Sequence, residues 1–340
     1  MSNIAALFQY LESGSRAEKS GLIVPAALLI IVAVLLLFLA LETAYLLVRY
    51  IRLHRKLALK SGGATKERGA VTSVEIGKLH EQGKRQYQQD SFGVSDNALM
   101  QSHGLLAIVA DGMGGLADGD KVSTTAVEEI LDNFVLYQGK GTPEQALLVL
   151  AHQAVKKVNS FLGEENLRKS GSTLVMGLIK NSMLSFLSVG DSRICLYRDG
   201  VLTQLNREHI YKNELALRAV NSELSLQDVY SDKNGSGLTS FLGMGDLAYI
   251  DFPASPIQLY PGDKILLMSD GIYNALSADE ISSALRLSPE SAADTLRSAV
   301  ESKGFSNQDN YTGVVLECKA EVRVKSAKSS RKVPKTEQPV

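Results

Sequence analysis

The sequence has little that serves thiol or imidazole chemistry. Its 340 residues include two cysteines, Cys195 and Cys318, and no C-x-x-C pair, which excludes a thiolate metal site and a dithiol redox motif. It has five histidines, and none lies in an Asp-x-x-His context. A serine hydrolase built on Gly190-Asp191-Ser192 would need a histidine base with an orienting acid, so the sequence does not favour one.

Excess charge of one sign is absent from the chain as a whole, whose net charge is −1. Residues 71–318 nevertheless hold 20 basic and 31 acidic residues, and residues 1–70 and 319–340 are each basic by +5. Binding to nucleic acid requires a basic face, so the acidic middle argues against a nucleic-acid partner. The acidic composition of residues 71–318 is compatible with a site in which carboxylates bind divalent cations.

Residues 21–41 form a run of 21 residues without a charge. A run of that length spans a bilayer as a helix, and we expect a transmembrane helix over 21–48 after an N-terminal segment, 1–20. A cleaved signal peptide is the alternative, but no A-x-A site follows the run. Seven Lys/Arg lie in a basic juxtamembrane linker, 49–70. This bias predicts a single-pass protein of the cell membrane with its C-terminal side in the cytoplasm.

The remaining pattern mixes strands with helices and predicts an α+β domain with antiparallel sheet over 71–318. Helix caps occur at 142–145, at 277–280 and at 288–289. Arg198-Asp199-Gly200 predicts a hairpin. The basic, non-periodic residues 319–340 predict a disordered tail. Apolar runs typical of strands lie at 105–110, 183–189, 193–197, 201–205, 264–269 and 312–318.

Aspartates stand at the ends of several predicted strands. Asp111, Asp191 and Asp270 each follow an apolar strand, Asp309 precedes the last strand, and Asp90 follows a polar stretch. Any single Asp-Gly is a natural turn. Several carboxylates at one sheet edge repel one another, and a bound cation relieves that repulsion. Oxygen ligands without His or Cys indicate Mg²⁺ or Mn²⁺ rather than Zn²⁺.

The order and spacing of these motifs resemble the metal-dependent protein phosphatases of type 2C, over about residues 72–318. Each motif is weak alone, and their common order makes the resemblance specific. The matching pieces are Arg85-x-x-x-x-Asp90, Ala110-Asp111-Gly112-Met113-Gly114-Gly115, Gly171-Ser172-Thr173, Val189-Gly190-Asp191-Ser192-Arg193, Gly237-Leu238-Thr239 with Leu242-Gly243, Ser269-Asp270-Gly271 and Asp309-Asn310.

The resemblance implies a site for two Mn²⁺ or Mg²⁺ ions. Asp111 would bridge the ions, and the Gly112 carbonyl would be a ligand of one of them. Asp270 and Asp309 would complete the pair, and Asp90 would hold a metal-bound water. A third ion is not expected, because Arg168 stands where relatives often have an aspartate.

The resemblance also implies the fold, the reaction and the partners. The fold would be an α-β-β-α sandwich of two antiparallel sheets flanked by helices. The reaction would be hydrolysis of phosphoserine and phosphothreonine in proteins, with Arg85 gripping the phosphate through its planar guanidinium. Partners would be Ser/Thr-phosphorylated proteins and a cognate Ser/Thr kinase.

The sequence departs from the family pattern at two further places. Gln88-Gln89 replaces the common Asn-Glu, and Met113 replaces a histidine that many eukaryotic relatives have, as bacterial relatives often do. Residues 211–232 lie where relatives carry a mobile flap, and their pattern equally fits a surface helix. An inactive phosphoprotein-binding module is therefore the alternative to an enzyme. A dinucleotide site at 112–117 is disfavoured, because the same G-x-G-x-x-A pattern recurs at 243–248.

Overall fold

A computed structural model describes Glu42 and residues 69–114, 118–137 and 141–320. The predicted membrane helix, nearly all of the segments that flank it and residues 321–340 of the predicted tail lie outside these described residues. Within them, no helix is long and apolar enough to cross a membrane.

The strands of the described chain form two sheets in which all neighbours are antiparallel. The first sheet has the order β1-β11-β10-β7-β8, and the second has the order β2-β3-β5-β6-β9 with β4 paired to β3. The strands are β1 Ser73–Glu81, β2 Asp90–Val94, β3 Leu105–Gly114, β4 Ser170–Ser172, β5 Leu174–Lys180, β6 Met183–Val189, β7 Arg193–Arg198, β8 Val201–Gln204, β9 Ile257–Gln258, β10 Lys264–Met268 and β11 Tyr311–Lys319.

Three helices begin at the residues that the capping signals predict, after Thr142, Ser277 and Ser288. Thr142 and Ser277 form capping boxes, and Gly304 ends the last helix in the left-handed conformation. The helices of the described chain, numbered in order, are α1 Gly119–Leu136, α2 Pro143–Leu162, α3 Tyr211–Val220, α4 Leu226–Ser231, α5 Asp270–Tyr273, α6 Ala278–Ala284 and α7 Pro289–Lys303.

Three clusters of buried apolar side chains hold the two sheets together and the helices against them. The first joins α1 and α2 to the outer face of the second sheet, for example through Phe134 and Met176. The second fills the space between the two sheets. The third joins α6 and α7 to the outer face of the first sheet, for example through Leu296. The predicted α+β class with two antiparallel sheets and flanking helices is confirmed.

All six predicted strands are present, each shifted by no more than a few residues at its ends. Asp199 and Gly200 both have positive φ, as a two-residue hairpin loop between β7 and β8 requires. Five strands, β1, β2, β4, β5 and β9, were not predicted. β1 alternates charged with apolar residues, and β2 and β5 are each interrupted by a glycine. The segment 211–232 is helical, as α3 and α4.

Candidate active site

Two of the predicted carboxylates face each other across neighbouring strands. Asp90 is the first residue of β2 and lies directly opposite Asp111 of β3. The β3 backbone is fixed there by Thr173, whose Oγ1 accepts the Asp111 N–H at 3.0 Å and whose N–H donates to the Asp111 carbonyl at 2.9 Å. The second sheet therefore presents both carboxylates at one edge.

The first sheet brings the other two carboxylates to the same place. Asp270 begins α5 directly after β10, and Asp309 ends the loop before β11, so the antiparallel pairing of these strands makes them neighbours. Asp111 and Asp270 lie close enough for each carboxyl group to affect the pKa of the other. The structure thus joins Asp90, Asp111, Asp270 and Asp309, which span 219 positions of the sequence, at the meeting edges of both sheets.

Burial and mutual repulsion raise the pKa values of Asp90, Asp111 and Asp270. Burial raises the pKa of Asp111 well above its usual value, and the charges of Asp90 and Asp270 add to that effect. Burial also raises the pKa of Asp90 to about 7, although hydrogen bonds from Ser269 and Thr312 oppose the shift. The pKa of Asp270 is raised by burial and then by Asp309. Such clustered shifts are typical of functional sites.

Asp191 belongs to the same cluster, although it was not among the predicted metal-binding residues. Burial raises its pKa to about 7, and the charges of Asp270 and Glu208 contribute. Its carbonyl accepts the Tyr273 hydroxyl at 3.1 Å. The signal was visible in the sequence, because Asp191 follows an apolar strand as Asp111 and Asp270 do, but the strand gives no measure of burial.

Arg85 lies at the rim of this cluster. Its Nη2 is 2.5 Å from Asp309 Oδ2, and its side chain is 55% exposed. Arg85 and Asp309 line a cleft of about 340 Å³ whose other wall includes Phe305. Asn310 holds the loop that carries Arg85, since its side chain bonds the backbone of Gln82, Tyr87 and Gln89. The arginine is therefore held beside the carboxylates by its pair with Asp309, and more than half of its side chain is open to solvent.

Gly112 follows Asp111 in a position that no side chain can occupy. A Cβ there would lie 2.2 Å from the carbonyl oxygen of Gly119 and 2.4 Å from that of Gln89. Neither glutamine of the preceding loop reaches toward the carboxylates as a ligand. Gln88 Oε1 accepts the N–H of Asp90 at 3.1 Å, and Gln89 Nε2 donates to the Gly114 carbonyl at 3.4 Å.

The remaining positions of interest lie outside the carboxylate cluster. Arg168 adopts a positive φ and donates from Nε to the Met244 carbonyl at 3.3 Å. Met113 is half-buried on β3. The apolar face of α3 lines a separate cavity of about 560 Å³ that includes Leu217 and Tyr249.

The donor set fits small divalent cations. Among residues 69–114, 118–137 and 141–320, no three His, Cys, Asp or Glu side chains surround one point as a ready-made cage. Mg²⁺ keeps several waters and uses one or two carboxylates per ion, so such a cage is not required. The clustered carboxylates supply the negative charge that cations need, and the nearby guanidinium groups of Arg85 and Arg193 offset only part of it, since the pKa of Asp270 stays raised.

Comparisons with known proteins agree with this geometry. The chain is 29% identical to the serine/threonine phosphatase stp of Listeria monocytogenes over 238 residues, which are 68% of this chain and 91% of that protein. It is 32% identical to the protein phosphatase PhpP of Streptococcus pneumoniae over 180 residues, which are 52% of this chain and 70% of PhpP.

Solved structures share the fold. The catalytic domain of the serine/threonine protein phosphatase PstP, in complex with two manganese ions, superposes with a TM-score of 0.59 at 23% identity, covering 73% of this chain and 99% of that one. The sequence model of Protein phosphatase 2C matches residues 76–308. The chain therefore belongs to the protein phosphatase 2C family.

Proposed function

We propose that this chain hydrolyses phosphoserine and phosphothreonine in proteins, with two Mn²⁺ or Mg²⁺ ions held by its clustered aspartates. The observation that carries the proposal is the convergence of Asp90, Asp111, Asp270 and Asp309 beside an exposed arginine. The relatives are named as serine/threonine phosphatases, and one related structure contains two manganese ions.

Asp111 would hold both cations, with Asp270 and Asp309 on either side and the Gly112 carbonyl as a further ligand. Asp90 would orient a water through its carboxylate. When bound, two divalent cations lower the pKa of a water and neutralise charge on the transferring phosphoryl group.

Arg85 has a different task. Its guanidinium offers parallel N–H donors that match two phosphate oxygens. In the structure it pairs with Asp309, and a cation on Asp309 would compete for that carboxylate. The arginine would then turn to the phosphate, and the adjoining cleft beside Phe305 would take the neighbouring part of the substrate chain.

An inactive phosphoprotein-binding module does not account for the cluster of four aspartates beside Arg85. The carboxylates are buried at the expense of stability, and a module that only binds phosphoproteins needs no such cluster. The replacement of the usual Asn-Glu by Gln88-Gln89 leaves the four aspartates in place. The enzyme is therefore the function that the site supports best.

The test is turnover of a phosphothreonine peptide by the purified full chain, with and without Mn²⁺. We expect hydrolysis that requires Mn²⁺ and that Asp270→Asn abolishes. The matched control is Asp279→Asn, an exposed carboxylate of α6, which should keep full activity. Absence of turnover at any Mn²⁺ or Mg²⁺ concentration in a folded protein would favour the binding module.

We also propose that residues 21–48 anchor the enzyme in the cell membrane with the catalytic domain in the cytoplasm. The uncharged run and the seven basic residues that follow it support this topology. A tether raises the local concentration of membrane-associated substrates, among them the targets of a cognate Ser/Thr kinase. Membrane fractionation of the full chain and of a chain lacking residues 1–68 tests the anchor, since only the full chain should sediment with membranes.

A further inference from the structure

The cleft at the rim of the carboxylate cluster has an aromatic wall that is held in place from both sides. Phe305 directly follows Gly304, which ends α7 in the left-handed conformation. Three residues further on, Gln308 donates from Nε2 to the Gly271 carbonyl at 2.9 Å. The Gln308 carbonyl in turn accepts the Lys84 N–H at 2.8 Å. The chain is thus fixed before and after Phe305, and the ring belongs to a defined part of the cleft.

Phe305 leaves apolar surface open to solvent at this place. Its side chain is 45% exposed, and Ala275 lines the same cleft. Single exposed apolar residues are common on protein surfaces. This one differs because it shares its cleft with Arg85 and Asp309 at the carboxylate cluster. Covering its ring is favourable in proportion to the apolar area removed from water.

The charges of the cleft are already engaged. Among the described residues that line it, only Arg85 and Asp309 are charged, and they pair with each other at 2.5 Å. The amide of Asn274 donates to Asp270 at 3.1 Å, toward the carboxylate cluster. A basic side chain in the cleft would lie near the Arg85 guanidinium and find Asp309 taken. An acidic side chain would compete with the phosphate for Arg85. An uncharged apolar side chain meets neither cost.

We propose that Phe305 is a specificity-determining residue that selects substrates with an apolar side chain next to the phosphorylated residue, in preference to a lysine there. The inference rests on the proposed function, which places the phosphate at Arg85. Consecutive Cα atoms of a peptide are about 3.8 Å apart, so a side chain adjacent to the phosphorylated residue comes within reach of the cleft.

The experiment measures kcat and KM of the purified full chain with Mn²⁺ on three phosphothreonine peptides. The peptides differ only in the two residues that flank the phosphothreonine, which are both leucine, both alanine or both lysine. We expect kcat/KM for the leucine peptide to exceed that for the alanine peptide by about 10-fold, and the lysine peptide to be the poorest substrate.

The Phe305→Ala variant tests the source of this preference. The ratio of kcat/KM between the leucine and alanine peptides should fall from about 10 to about 2 or less. The loss on the leucine peptide should lie in KM rather than in kcat, because the apolar contact is the same in the bound substrate and in the transition state.

Two further variants separate the cleft from a general effect of losing an exposed ring. Phe161→Ala removes a phenylalanine of α2 that is 47% exposed, almost the same fraction as in Phe305, and should keep the full preference for leucine. Phe305→Leu keeps an apolar wall at the same place and should retain most of the preference.

The outcomes are distinct. Equal kcat/KM for the leucine and alanine peptides in the original chain overturns the inference and leaves the proposed function standing. A preference that survives in Phe305→Ala also overturns it, since another surface would then recognise the neighbouring residue. A lysine peptide that is the best substrate contradicts the inference as well. A folded full chain that hydrolyses none of the three peptides with Mn²⁺ refutes the proposed function together with this inference.

Discussion

Asp90 and Asp111 occupy directly opposite positions at the end of the β2–β3 ladder, both with their side chains in the interior. Like charges that face each other across two strands destabilise a sheet. Burial raises the pKa of both carboxyl groups, and the charge of Asp270 adds to the effect on each of them. The fold therefore contains a local cost that a divalent cation would remove.

The first prediction concerns the pH dependence of the metal-free chain. The pKa of Asp191 is about 7 in the folded chain and near 3.9 when unfolded. Between these values the folded state binds more protons, so Asp191 lowers the free energy of unfolding as pH rises from about 4 to 7. Asp191→Asn should match the original chain near pH 4 and be more stable than it at pH 8.

Urea unfolding at both pH values, in the presence of a chelator, measures this difference. The control is Asp246→Asn, which changes an exposed carboxylate, and its effect should be the same at both pH values. An Asp191→Asn effect that does not grow with pH would show that Asp191 is already neutralised by a partner.

The second prediction separates the role of Arg85 from stability. Its ion pair with Asp309 is largely exposed, so Arg85→Ala should change the free energy of unfolding by less than about 1 kcal/mol. Loss of a donor to the transferring phosphoryl group should lower kcat/KM by about 10²–10³. The kcat/KM of Arg85→Lys should lie between those of the original chain and of Arg85→Ala, because lysine keeps the charge without the planar guanidinium.

Steady-state kinetics on a phosphothreonine peptide, beside thermal unfolding of the same samples, checks this prediction. Arg218→Ala is a suitable control, since it breaks an exposed ion pair with Glu223 away from the site. Equal loss of activity in both variants would contradict a specific role for Arg85.

The third prediction concerns Gly112. An alanine there would overlap the carbonyl oxygens of Gly119 and Gln89, which belong to the backbone and cannot turn aside. Gly112→Ala should lower the free energy of unfolding by about 1–3 kcal/mol and displace Asp111. Gly69→Ala, where nothing lies within 4 Å, is the control and should be neutral. Denaturant unfolding of both variants decides the point, and a neutral Gly112→Ala would mean that β3 and α1 separate easily.

Many strands and helix starts could be predicted from the sequence, because each is marked by a short apolar run or by a capping residue within a few positions. The runs of β3, β6 and β10 are buried along almost their whole length, and they stand out in the sequence for the same reason. β1 alternates exposed with buried residues, and its partner β11 lies more than 200 residues away. No local pattern announces such a pairing.

The site also has features that the sequence predicted and features that it did not. The aspartates at strand ends were evident, and the structure brings Asp90, Asp111, Asp270 and Asp309 together. The burial of Asp191 depends on how the surrounding elements pack, which the sequence does not display. The predicted membrane helix lies outside the described residues and stays a prediction.

The most direct test of the central claim is the EPR spectrum of the full chain with two equivalents of Mn²⁺. Two ions bridged by one carboxylate lie about 3.5–4 Å apart and are magnetically coupled. We predict a coupled spectrum that Asp111→Asn converts to the six-line signal of isolated ions. Isolated ions alone in the original chain, at every stoichiometry, would contradict the paired-cation site on which this account depends.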